Sequence, residues 1–210
     1  MDVGYLTGGG LQNLLHAPHS LRWQQIHRVT EIDDVSVAEA LSTLTSLTTL
    51  DTLDCRSVAF LPALTRLRTL RWYVNCDVRL ADDITAGLAC CTQLTSLLLH
   101  AEELTSQHLS QALSHLHQLR SLTLHYCSVV ESLVFLSDCG HLAQTLQSLE
   151  LRGLWGLHST LEPILTLRSL TQLSIIAAYG DALQPLTPVM RDALTPPSRV
   201  LTKLAQFRYQ

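Results

Sequence analysis

Large rings and charges are both scarce in this chain. Aromatic residues make up 5% and charged residues 15% of its 210 positions, so its interior must be filled by aliphatic side chains. Disorder does not follow, because a hydrophobic fraction of 47% leaves ample surface to bury. A basic excess is also missing. Lysine and arginine number 14 against 18 aspartates and glutamates, for a formal net charge of −4. Phosphate is therefore not attracted at long range, and neither nucleic acid nor an anionic membrane is expected as a partner. No stretch approaches the roughly 18 consecutive apolar residues of a membrane span. A secretory pattern is missing too: Asp2 stands where a basic region would, and Gly8-Gly9-Gly10 interrupts any apolar run. A cytoplasmic or nuclear location is expected. The six cysteines lack paired spacing, which suits reduced thiols inside a cell.

Catalytic signatures are equally thin. The triple glycine is followed by Leu11-Gln12-Asn13 rather than by the lysine and hydroxyl residue of a phosphate loop. No Gly-x-Ser-x-Gly elbow and no His-Glu-x-x-His helix occurs. No enzyme activity and no cofactor are assigned.

What the chain does have is one phrase, Leu-x-x-Leu-x-Leu, clearest at Leu119-Arg120-Ser121-Leu122-Thr123-Leu124. Other copies read Leu67/Leu70/Trp72, Leu94/Leu97/Leu99, Leu146/Leu149/Leu151, Leu170/Leu173/Ile175 and Leu204/Phe207/Tyr209. The copies begin at residues 67, 94, 119, 146, 170 and 204, hence 27, 25, 27, 24 and 34 residues apart. That period belongs to stacked repeats. Strand alternation from the fourth to the sixth position turns leucines inward and sends positions three, five and seven outward. One strand per copy, stacked in parallel, predicts a sheet along a concave wall.

The segments between copies read as its convex return. Thr105 and Ser106 precede apolar residues at helical spacing, Leu109, Ala112, Leu113 and Leu116. Ser36 and Glu39 have the form of a capping box. Asp82 and Asp83 suit a helix N-terminus, and Glu162-Pro163 fits a first helical turn.

The first quarter of the chain is ambiguous. Leucines at 41, 44, 47, 50 and 53 recur every three residues, so the frames Leu47/Leu50/Thr52 and Leu50/Leu53/Cys55 both fit. The second is preferred, since cysteine is buried more readily than threonine, although it leaves only 17 residues, from 50 to 67, before the next copy. A degenerate copy is expected around Trp23, Ile26, Val29 and Ile32. Residues 1–20 read as a flexible or capping segment, and 21–210 as about seven to eight irregular repeats.

This phrase set resembles the leucine-rich-repeat superfamily over roughly residues 20 to 210. The variable period with convex helices is similar to its ribonuclease-inhibitor class and to its F-box-associated, cysteine-containing class. The latter likeness lies in Leu88-Ala89-Cys90-Cys91-Thr92-Gln93-Leu94 and Leu122-Thr123-Leu124-His125-Tyr126-Cys127. The resemblance implies an α/β solenoid, a right-handed horseshoe with a parallel concave sheet that recognises a protein partner. Duty as the substrate arm of a ubiquitin-ligase receptor is a narrower implication. One departure is the ninth position, normally Asn or Cys, which here reads Asn75, Glu102, Cys127, Leu154 and Ala178.

The outward columns name the candidate binding residues. Position seven reads Tyr73, His100, His125, Arg152 and Ile176, ending at Gln210. Position five reads Arg71, Leu98, Thr123, Glu150, Ser174 and Arg208. Tyrosine and arginine are the anchors favoured at interfaces, so the patch is assigned to Arg71, Tyr73, His100, Arg120, His125, Tyr126, Glu150 and Arg152. If the register holds, His100 and His125 lie on adjacent strands about 4.8 Å apart. Such a pair is the chemistry of a metal- or proton-responsive module. It reads also as a solvated pair on a binding wall, and no metal is assigned. Cys91 falls in a slot filled elsewhere by leucine and reads as core. The chain ends directly after a predicted strand, from which a covering chain over the last repeat is expected.

Overall fold

A computed structural model describes residues 2–3, 6–7, 25–30, 35–52, 57–74, 81–153, 161–176 and 206–209. These build one parallel ten-stranded sheet. Its strands are β1 (Asp2–Val3), β2 (Leu6–Thr7), β3 (Gln25–Thr30), β4 (Thr49–Thr52) and β5 (Thr69–Val74). They continue as β6 (Ser96–Ala101), β7 (Ser121–His125), β8 (Ser148–Arg152), β9 (Gln172–Ile176) and β10 (Gln206–Tyr209). From β3 onward the spatial order is the chain order, and β1 and β2 both pair with β3.

The register follows the repeated phrase. Leu70, Leu97, Leu122, Leu149 and Leu173 stand side by side across five strands, as do Trp72, Leu99, Leu124, Leu151 and Ile175. Leu122 and Leu124 are buried, while Ser121, Thr123 and His125 are half-buried. Each buried leucine thus meets its counterparts above and below, and the repeats share a single core.

Backbone hydrogen bonds at the start of each strand hold that register. The Thr48, Arg68, Thr95, Arg120 and Gln147 carbonyls each accept two N–H groups from a later copy, at 2.7–3.0 Å. Just upstream, a turn ties the first leucine of a copy to the residue three before it, as in Leu67 N–H to Leu64 C=O at 3.0 Å and Leu94 N–H to Cys91 C=O at 3.0 Å. That inner slot is apolar, and in other copies Leu64, Leu116 and Leu167 fill it, each fully buried. Cys91 occupies it fully buried, and burial, with Cys90 adding to it, pushes its thiol up to about 12.

Helices return the chain behind the sheet. They are α1 (Val35–Ser42), α2 (Ala81–Cys90), α3 (Ser106–Leu113), α4 (Phe135–Asp138) and α5 (Leu142–Thr145). Thr105 caps α3 as expected: its hydroxyl accepts from His108 N–H at 3.3 Å, and the Thr105 N–H donates to His108 Nδ1 at 3.2 Å. Asp82 and Asp83 lie in the first turn of α2. Glu162–Thr166 forms a 3₁₀ turn with Pro163 at its start.

Several expectations need correction. The first-quarter frame is Leu47/Leu50/Thr52, not Leu50/Leu53/Cys55. Leu50 pairs with Leu70 and Thr52 with Trp72, and Leu47, Leu50 and Thr52 are all fully buried. The physical reason is room for the return: either frame would set a leucine beside Leu70, but this one leaves 20 residues, from 47 to 67, rather than 17, for the segment behind the sheet. Helix α1 begins at Val35, so Ser36 lies inside its first turn rather than ahead of it. The 3₁₀ turn Leu61–Ala63 and the short helices α4 and α5 carry no strong sequence signal. Ile26 pairs with Leu50, which places the expected degenerate copy. Trp23, Ile32, the triple glycine, Cys55, Asn75, Cys76, Leu154, Ala178 and Gln210 lie outside the described residues.

Candidate functional site

Positions five and seven of each copy project from the sheet face opposite the helices. The position-seven residues Tyr73, His100, His125, Arg152 and Ile176 are direct neighbours across β5 to β9. The rings do more than line up. Tyr73 and His100 lie with centroids 5.7 Å apart, and His100 and Tyr126 with centroids 5.2 Å apart. Tyr126 also meets His125 edge-on at 6.5 Å. Offset and tilted ring pairs at such distances attract each other.

Tyr126 joins the row because the backbone turns there. Its φ is +51°, a conformation that costs an ordinary residue about 1–2 kcal/mol. Its N–H nevertheless extends the sheet, donating to the Arg152 carbonyl at 2.8 Å. In the next copy the same position is Gly153, at φ +64°, whose N–H donates to the Ile176 carbonyl at 3.0 Å. The Tyr126 ring lies against Gly153: a methyl group added there would stand 2.8 Å from Tyr126 Cδ1. Directly after Tyr126, buried Cys127 donates its thiol to the His125 carbonyl at 3.6 Å. That is the turn-filling part the repeat resemblance implies for the ninth position.

The electrostatics of the row are mixed. His125 Nε2 lies 3.4 Å from Glu150 Oε1. His100 titrates below the usual histidine value because burial disfavours its charged form; Glu102 pulls it up and His125 pushes it down. A second imidazole pair lies elsewhere, where His117 meets His141 edge-on at 4.6 Å. The pairing of His117 is therefore with His141, not with His115 two residues away. Burial first and His117 second lower the His141 value, against the opposing Leu113 and Leu116 carbonyls. Among the described residues, no three His, Cys, Asp or Glu side chains converge as a metal site needs.

Among solved structures, the chain is similar to an internalin from Listeria monocytogenes, with 21% identity and a TM-score of 0.58. This is a leucine-rich-repeat fold. The match covers 94% of this chain and 55% of that one, so the chain spans about half the length of the internalin. No family model and no curated protein matches the sequence.

In leucine-rich-repeat terms, the concave face gathers Tyr73, His100, His125, Tyr126 and Arg152 at the C-terminal ends of neighbouring strands, with Glu150 one alternation earlier on β8. Arg71 is exposed one alternation earlier on β5. Arg120 stands apart from them. It precedes β7 and lies five residues before His125, about 16 Å away along the strand, so it does not border the ring row. Sequence reasoning also missed two residues. Asp51, buried to 8% exposure, is the position-five neighbour of Arg71, a place visible only in the Leu47/Leu50/Thr52 frame. Gly153 could be suspected only once Tyr126 was known to stand beside it. Among the described residues, no helix is long and apolar enough to cross a membrane.

Proposed function

We propose that this chain is a non-catalytic binding scaffold that grips a protein partner on the concave sheet, with the Tyr73–His100–Tyr126 row at the centre of the contact. The observation that carries this reading is the row itself. Three rings contributed by three successive repeats form a partly buried shelf, with Arg71 and Arg152 exposed on flanking positions. Rings packed against one another before binding cost little entropy when a partner docks, and arginine beside them is a residue type enriched at interface hot spots. Affinity capture followed by quantitative mass spectrometry, comparing wild type with Tyr73→Ala/Tyr126→Ala, tests it. Specific partners should be lost from the double variant while its melting temperature stays close to wild type. Identical captures from the two folded proteins would rule the shelf out.

Proton-responsive binding is a second reading, supported by the His125–Glu150 contact and by the partial burial of His100. Partner affinity should then change between about pH 7.5 and pH 5.5 and lose that change in His100→Asn/His125→Asn. The narrower reading from the resemblance, a substrate arm of an F-box-type ubiquitin-ligase receptor, uses the same face. Co-purification of a cullin adaptor distinguishes it.

A further inference from the structure

The rim where the strands begin has a chemistry unlike the rest of the chain. The two residues before and the one after the first leucine of each copy form this rim. In the copies that start at Leu47, Leu67, Leu94, Leu119, Leu146 and Leu170, none of those residues is Asp or Glu, and four are arginines: Arg66, Arg68, Arg120 and Arg168. The whole chain carries a net charge of −4, so the acids are concentrated elsewhere. At the N-terminal end of the rim, three successive copies enclose an open groove of about 1000 Å³. Among the described residues its lining is Thr45, Ser46, Thr48, Thr65, Arg66, Arg68 and Gln93, with two guanidinium groups, four hydroxyls, one amide and no carboxylate. Arg66 and Arg68 are exposed, and neither forms an ion pair among the described residues.

We infer that this groove binds an acidic peptide segment, independently of whatever occupies the concave face. The guanidinium fork and the hydroxyls are donors matched to carboxylate or phosphate oxygens. The groove spans two strand spacings, about 9.6 Å, which is wide enough for one extended chain and too open to enclose a lone ion. Single-stranded nucleic acid fits less well. Its binding sites combine cationic grooves with aromatic stacking platforms, and no Phe, Tyr or Trp occupies the rim positions. The acidic excess of the whole chain also opposes a long polyanion more than a short acidic segment.

NMR titration of the ¹⁵N-labelled full chain tests this with three probes: a Glu-rich hexapeptide, its Gln counterpart, and a single-stranded oligonucleotide. The Glu peptide should shift amides within 45–48, 65–68 and 93, and the Gln peptide should not. Arg66→Gln/Arg68→Gln should weaken the Glu peptide about tenfold, whereas Arg71→Gln, which removes one charge from the concave face, should leave it unchanged. The spectra themselves report whether each variant is folded. Shifts centred on Tyr73, His100 and Tyr126 would overturn the assignment, as would equal losses in the two variants. A stronger response to the oligonucleotide would also overturn it. A null result here leaves the concave-face capture experiment unaffected, so the two readings fail separately.

Discussion

Tyr126 and Gly153 occupy the same position in adjacent repeats, both with positive φ, and the ring of one lies on the backbone of the other. The glycine is required twice over, for its left-handed backbone and for the space its missing Cβ leaves. Gly153→Ala should therefore strain the turn and lift Tyr126 away from His100. A loss of about 1–3 kcal/mol in urea unfolding is expected, together with weaker partner capture. Wild-type stability in this variant would mean that the ring does not rest on Gly153.

Leu122 sits fully buried at the centre of the stack, facing Leu97 on one side and Leu149 on the other. Leu122→Ala should cost about 2–5 kcal/mol. Because repeat stability is carried by neighbouring interfaces, the loss should also broaden the transition by uncoupling the flanks. Chemical denaturation followed by circular dichroism measures both effects.

Thr52 shows the opposite sign. Its hydroxyl is buried with no hydrogen-bond partner among the described residues, at a position where the other copies carry Trp72, Leu99 or Leu124. Replacing it with the near-isosteric valine removes the desolvation penalty, so Thr52→Val should stabilise the chain by about 1 kcal/mol. A destabilised variant would reveal a partner for that hydroxyl.

Stability should fall on mild acidification. His100 titrates below its ordinary value of 6.5 because of burial, so as the pH drops the unfolded chain takes up the proton first. Stability is full above the unfolded value and declines as the pH falls toward the lower folded one. His141 contributes with the same sign. Melting temperature should decrease from about pH 7.5 to pH 5.5, with a shallower decline in His100→Asn.

Thiol reactivity should divide sharply. Cys90 is exposed, whereas Cys91, Cys127 and Cys139 are buried. Burial pushes Cys91 up to about 12 and, with Asp138 adding to it, Cys139 up to about 11. Since the thiolate is the reactive form, iodoacetamide at about pH 8 should label Cys90 first among these four. Peptide mapping by mass spectrometry reads the order.

The recurring leucine phrase was enough by itself to determine the parallel sheet and the columns of outward residues from β5 to β9. Alternation with period two and a repeat of about 25 residues are local and redundant signals, since every copy restates them. Tertiary structure alone decided the frame around Leu47. A leucine at every third residue satisfies two registers equally, and only the pairing of Leu50 with Leu70 and of Thr52 with Trp72 separates them. It also decided that Arg120 stands apart from the ring row and how Tyr126, already assigned to the patch, packs against His100 and Gly153. Arg120 stands apart because it lies just before the start of β7, away from His125 at its end. The Tyr126 contact depends on a left-handed turn and on the missing Cβ of a glycine one repeat later, neither of which is written in the residue types of β7.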